Sequence, residues 1–149
     1  MAKILIVAHA PLASSLQAVA RHVYPDCGAG LNAVDVAAGA TRDETEASVR
    51  DSLAACGSAE VLILTDVFGA TPCNAALAAA DGVRTRVVAG VNVPMLWRAL
   101  CYAEQPLEEL VTRAMTGGNQ GVMHVAVPRR QNQPNPAPSH DQVQPHHQQ

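Results

Sequence analysis

The chain has no surplus of positive charge: 10 Lys and Arg stand against 13 Asp and Glu over 149 residues, for a net charge of −3. Its last 21 residues contribute only Arg129, Arg130 and Asp141, so the acidity lies in the preceding body. That excludes the basic footprint of a nucleic-acid binder. Long hydrophobic runs are also missing. Apolar residues make up 48% of the chain, but 27 residues are alanine and mean hydropathy is only +0.06. No stretch approaches the ~20 consecutive apolar residues of a membrane span. One lysine, Lys3, followed by Ile4-Leu5-Ile6-Val7-Ala8 is shorter than the core of a secretory leader, so a cytoplasmic protein is expected. There is no C-x-x-C pair. Cys27, Cys56, Cys73 and Cys101 lie 17 to 29 residues apart, a spacing that suggests neither a zinc site nor a redox pair. They read as buried or half-buried small thiols. Neither G-x-x-x-x-G-K-[ST] nor G-x-G-x-x-G occurs, so nucleotide binding has little support, and no cofactor or metal is expected.

What is present is an alternation of short apolar runs and helical periodicity. Residues 3–8 form a continuous apolar run, as in a strand covered on both faces. Leu12, Leu16, Val19, Ala20 and Val23 recur at helical spacing. A second strand is expected over Leu31–Val36 and a helix over Asp43–Cys56, with Gly57 past its end. Val61–Leu64 is another buried run ending at Thr65-Asp66. The loop Val67–Ala70 then leads to Thr71-Pro72, read as an N-cap and a first helical residue, and an alanine-rich helix over Asn74–Ala80. Arg84–Ala89 gives a fourth strand. Asn92 or Val93 caps the next helix, Pro94–Ala103 and Leu107–Met115 are helices broken by Pro106, Gly117-Gly118-Asn119 is a turn, and Val122–Val127 is a last short strand. The rhythm argues for an α/β fold: a doubly wound, mainly parallel sheet of about four strands with helices on both faces. Residues 1–128 would form this domain. Residues 129–149, with six Gln, four Pro and three His, are expected to be a disordered tail.

In such folds ligands bind where strands end and the winding direction switches. The first strand ends at His9, the third at Asp66 and the fourth at Gly90. If the first and third strands are neighbours, His9 and Asp66 meet. An imidazole whose tautomer is fixed by a carboxylate is a nucleophile. The loop Phe68–Thr71 opens into a helix, so its backbone amides and the Thr71 hydroxyl can hold an anion. Together these are the parts for phosphoryl transfer through phosphohistidine. Each part also has a structural alternative: a hydrogen-bonded strand-end histidine, a local aspartate cap, a simple helix start. His22 and His124 fall within expected elements and read as satisfied structural residues. Met95 and Trp97 read as helix-packing residues, with a docking surface for partner proteins as the alternative, while His140, His146 and His147 sit in the Gln/Pro-rich tail and read as composition rather than a metal site.

Three segments carry a family resemblance: Ile4–Leu16 (I-L-I-V-A-H-A-P-L-A-S-S-L), Val61–Ala76 (V-L-I-L-T-D-V-F-G-A-T-P-C-N-A-A) and Val88–Leu96 (V-A-G-V-N-V-P-M-L). In this order and spacing they resemble the IIA component of the mannose-type sugar phosphotransferase system, over residues 3–127. The resemblance implies an enzyme that relays phosphate from the carrier protein HPr to a IIB component. His9 would be phosphorylated at Nε2, Asp66 would accept a hydrogen bond from Nδ1, and Thr71 with the amides of Phe68, Gly69 and Ala70 would bind the phosphoryl oxygens. It also implies a homodimer in which residues 122–127 pair with the partner's sheet, and membrane contact only indirectly, through a IIC/IID complex. The chain departs from the family at Ala10-Pro11, where glycine often follows the histidine, and at Phe68, where tryptophan is frequent. In some relatives a linker leads on to a IIB domain; here IIB is expected as a separate chain or absent, and absence would favour a regulatory role. A phosphotransfer subunit of a dihydroxyacetone kinase, or a regulatory phospho-acceptor read by a partner protein, would use the same histidine chemistry.

Overall fold

Five successive apolar residues from Ile4 to Ala8 leave a strand no polar face, so it must be covered on both sides. The computed structural model, which describes residues 1–128, shows how. The chain runs β1 (Lys3–His9), α1 (Leu12–Val23), a short α2 (Pro25–Gly28), β2 (Leu31–Val36), α3 (Arg42–Ala55), β3 (Val61–Thr65), α4 (Thr71–Ala79), β4 (Thr85–Ala89), α5 (Val93–Cys101) and α6 (Leu107–Gln120). The four strands form one parallel sheet in the order β2-β1-β3-β4. Side chains alternate across it. Ile4, Ile6, Leu62, Leu64 and Val88 pack with residues of α1, α5 and α6 on one face. Leu5, Val7, Val61 and Ile63 pack with Val49 of α3 and Ala76 of α4 on the other. The central strands are buried from Ile4 to Ala8 and from Val61 to Thr65. The doubly wound parallel sheet expected from the sequence is therefore the fold.

Boundaries differ at several points. The helix expected over Asp43–Cys56 is Arg42–Ala55, because Thr41 and Glu44 close a capping box: the Glu44 amide donates to Thr41 Oγ1 (3.2 Å) and the Thr41 amide to Glu44 Oε2 (2.9 Å). Thr41→Ala should lower unfolding free energy by about 1 kcal/mol, measured by urea titration. Thr71 is the first helical residue of α4 and Ala70 takes the N-cap position, so the threonine does not cap the helix as expected. Gly117-Gly118-Asn119 is not a turn but part of α6. Its glycines serve close packing against α5: a Cβ on Gly117 would lie 2.7 Å from Arg98 Cβ, and one on Gly118 2.7 Å from Met95 Cε. Residues 122–128 have no strand in the single chain, and Val122, Met123, Val125 and Val127 are exposed. The tail, with His140, His146 and His147, lies outside the described residues. Cys56 and Cys73 are buried, but Cys27 and Cys101 are exposed. His22 and His124 are exposed as well, rather than satisfied structural residues.

Candidate functional site

A parallel sheet brings all its carboxyl ends to one edge. The chain leaves β1 toward β2, then crosses back through α3 to β3 and on to β4, so the winding reverses between β1 and β3. His9 and Asp66 sit at that reversal. The last pair of the β1–β3 ladder is Val7 with Thr65, which puts His9 and Asp66 just past the end of that ladder. Asp66 Oδ2 accepts from the His9 amide at 2.9 Å and lies 2.6 Å from Nδ1 of the same residue's ring. The other oxygen, Oδ1, accepts from the Val67 amide at 2.8 Å. The two groups expected to meet across the crevice do so.

The protonation pattern follows from the bonding. Partial burial is the largest single influence on Asp66 and pushes its pKa up. The His9 amide, the His9 ring, the Val67 amide and the charge attraction of His9 act the other way and together outweigh it. The carboxyl is held below its ordinary value, so it is ionised at neutral pH. An ionised carboxylate only accepts, so in the neutral imidazole Nδ1 carries the proton and Nε2 keeps a free lone pair. Burial is unequal: the His9 side chain is 53% exposed and that of Asp66 12%. The acid is sheltered while the ring faces outward.

Four helices begin at this edge, and three of their amino termini are occupied by side chains. The Ser14 amide of α1 donates to Asp35 Oδ1 (3.0 Å), the Glu44 amide of α3 to Thr41, and the Met95 amide of α5 to Asn92 Oδ1 (2.9 Å). Only α4, which opens at Thr71, has no side-chain cap. The loop before it turns at Gly69, whose φ of +86° favours glycine, and is pinned by Asn74 Nδ2 donating to the Gly69 carbonyl at 3.1 Å. Phe68 is 79% exposed, whereas Ala70 and Thr71 are half-buried. On the far side, the Gly90 and Val91 amides donate to the carbonyls of Asp66 and Thr65, tying the loop after β4 to the end of β3. Met95 is buried, and Trp97 stands edge-on to Tyr24 at 5.5 Å, so both pack helices as expected. Asp35 escaped the sequence reading, although asking how β2 ends, as was asked of the other strands, would have found it. Among the described residues no group of three or more His, Cys, Asp or Glu could hold a metal ion. Nor is any helix among them long and apolar enough to cross a membrane.

A parallel sheet whose winding reverses between β1 and β3, with His9 and Asp66 in contact across the reversal, defines a doubly wound α/β protein with a ligand crevice at that edge. A family model described as "PTS system fructose IIA component" (EIIA-man) matches residues 3–115. The chain belongs to this family of phosphotransferase-system IIA components. The mannose/sorbose-specific IIA subunit of Enterococcus faecalis is 26% identical, with a TM-score of 0.80 over 87% of this chain and 98% of that one. The EIIA of Streptococcus agalactiae, at 23% identity and a TM-score of 0.74 over 83% of this chain and 97% of that one, shares the fold. So does the PTS IIA protein associated with the fucose utilization operon of Streptococcus pneumoniae (24%, TM-score 0.60, over 78% of this chain and 93% of that one). Comparison with curated proteins gave no match.

Proposed function

We propose that the protein is a cytoplasmic phosphoryl carrier that takes phosphate from phospho-HPr onto His9 and passes it to a IIB component. The observation that carries this reading is the 2.6 Å contact between Asp66 and Nδ1 of a ring that is itself half exposed. Nε2 attacks the phosphorus of the donor, a P–N bond forms, and the donor's bond to phosphorus breaks with its electron pair returning to the donor. Asp66 stabilises the positive charge that develops on the ring. The uncapped start of α4 (the amides around Phe68, Gly69 and Ala70, with the Thr71 hydroxyl) supports the negative oxygens in flight. Val67 and Phe68, which follow Asp66 in the chain, offer exposed apolar surface suited to a docking protein. Incubation with phosphoenolpyruvate, enzyme I and HPr should give acid-labile, base-stable label. No label, or label stable to acid, would overturn the reading.

We further propose that the chain works as a homodimer, with any membrane contact made only through a IIC/IID complex. Among the described residues no strand pairs with the outer edge of β4, beside which Val87, Val88, Met95, Val111 and Met115 line an apolar groove. Met123, Val125 and Val127 alternate with His124 and Ala126, a pattern suited to a strand with one apolar face. Placing residues 122–127 of each subunit on the partner's β4 would cover both. Val125→Asp should convert a dimer to a monomer in sedimentation analysis at micromolar concentration. A dimer unchanged by the substitution would exclude this pairing.

A further inference from the structure

The segment linking His9 to α1 is held from both sides. On the β3 side, Asp66 binds the His9 amide and ring. On the β2 side, the Ala10 amide donates to the Val36 carbonyl at 2.9 Å and the Ser14 amide to Asp35 Oδ1 at 3.0 Å. The second bond is unusual in its source. The N-cap residue of α1 is Pro11, which has no side-chain acceptor, and it makes no capping bond. Ser14 is the third residue of the helix, whose amide a capping side chain normally accepts. Here the acceptor comes from the next-to-last residue of the neighbouring strand. Register explains the reach: Asp35 pairs with Ala8, so its side chain lies on the same sheet face as Ala8, the face that α1 covers.

We propose that Asp35 is a positioning residue for phosphoryl transfer, locking the start of α1 to β2 and thereby fixing where the His9 ring presents Nε2. Only four residues separate His9 from Ser14, so a drift of α1 is transmitted directly into the turn that carries the nucleophile. A ring held only by Asp66 can still pivot about that contact. A backbone held from β2 as well cannot. The same carboxylate also occupies the amino terminus of α1, which leaves the start of α4 as the helix end at this edge without a side-chain cap.

The inference rests on the phosphocarrier reading, and the test separates the two. In the wild-type chain and in Asp35→Ala, Asp35→Asn and Asp35→Glu, initial rates of transfer from phospho-HPr are measured against donor concentration. The Nδ1 proton of His9 is followed by NMR in the unphosphorylated proteins. Alanine removes the acceptor, asparagine keeps an oxygen in place without charge, and glutamate keeps charge but displaces the oxygen by one methylene. The expected result is a kcat about tenfold lower for alanine and several-fold lower for glutamate at unchanged KM, with asparagine within about twofold of wild type. The Nδ1 proton signal should broaden in alanine and glutamate and stay sharp in asparagine. Because Asp35 is exposed at the sheet edge, glutamate provides a folded variant should alanine fail to melt cooperatively. Wild-type transfer rates and a sharp Nδ1 signal in the folded alanine or glutamate variant would overturn the proposal. A wild-type chain that takes no phosphate would overturn the carrier reading instead, and the Nδ1 signal would then still judge Asp35.

Discussion

His9→Ala should lower phosphoryl incorporation from phospho-HPr by more than about a thousandfold, to background, because the attacking nitrogen is gone. Stability should change little. The backbone amide of residue 9 still donates to Asp66 Oδ2, and Oδ1 keeps the Val67 amide, so the carboxylate loses one of its three partners. The lost ring contact is worth about 1 kcal/mol net, within reach of a urea titration. The pairing of results matters: a chain that melts like wild type yet takes no phosphate has lost chemistry, not fold. Full labelling of the folded variant would place the nucleophile elsewhere.

Asp66→Asn is expected to slow transfer on the order of 10- to 100-fold, through orientation rather than loss of the nucleophile. Oδ2 serves both the His9 amide and its ring, and Oδ1 serves Val67, so all three contacts need an acceptor. An amide offers one oxygen. Its NH2 must therefore face either the Val67 amide or the His9 donors, and the Nδ1–H tautomer is no longer enforced. A pH signature follows from the lowered pKa of Asp66. The native state binds this proton less readily than the unfolded chain does. The carboxylate's contribution to stability is therefore complete above the ordinary value of 3.8 and disappears as pH falls through the lower native value. The gap in melting temperature between wild type and Asp66→Asn should be widest near neutrality and close in acid. A gap independent of pH, with unchanged transfer, would reduce Asp66 to a turn residue.

Much of this site was legible in the sequence because strand ends are. Continuous apolar runs such as Ile4–Ala8 and Val61–Leu64, in alternation with helical segments, point to buried parallel strands, and the polar residues that stop them are delivered to one edge of the sheet. What stayed hidden depends on neighbours remote in sequence. Gly117-Gly118 has the composition of a turn, yet the glycines are helical because α5 approaches too closely for a side chain. Thr71 has the composition of a cap, but a threonine before Pro72 is as easily the first residue inside the helix, with Ala70 outside it. Asp35 resembles any polar residue on an exposed strand. Its bond to Ser14, 21 positions away, is set by the register of β2 on β1 and by a proline at the cap position that leaves the amide to others.

The central claim is that Nδ1 of His9 is committed to Asp66 and that Nε2 alone receives phosphate. NMR of the 15N-histidine-labelled protein after transfer from phospho-HPr, reading phosphorus–nitrogen coupling, tests it directly. Phosphorus should couple to Nε2 of His9 with the Nδ1 proton retained. Coupling to Nδ1, or to the exposed ring of His22, would contradict it.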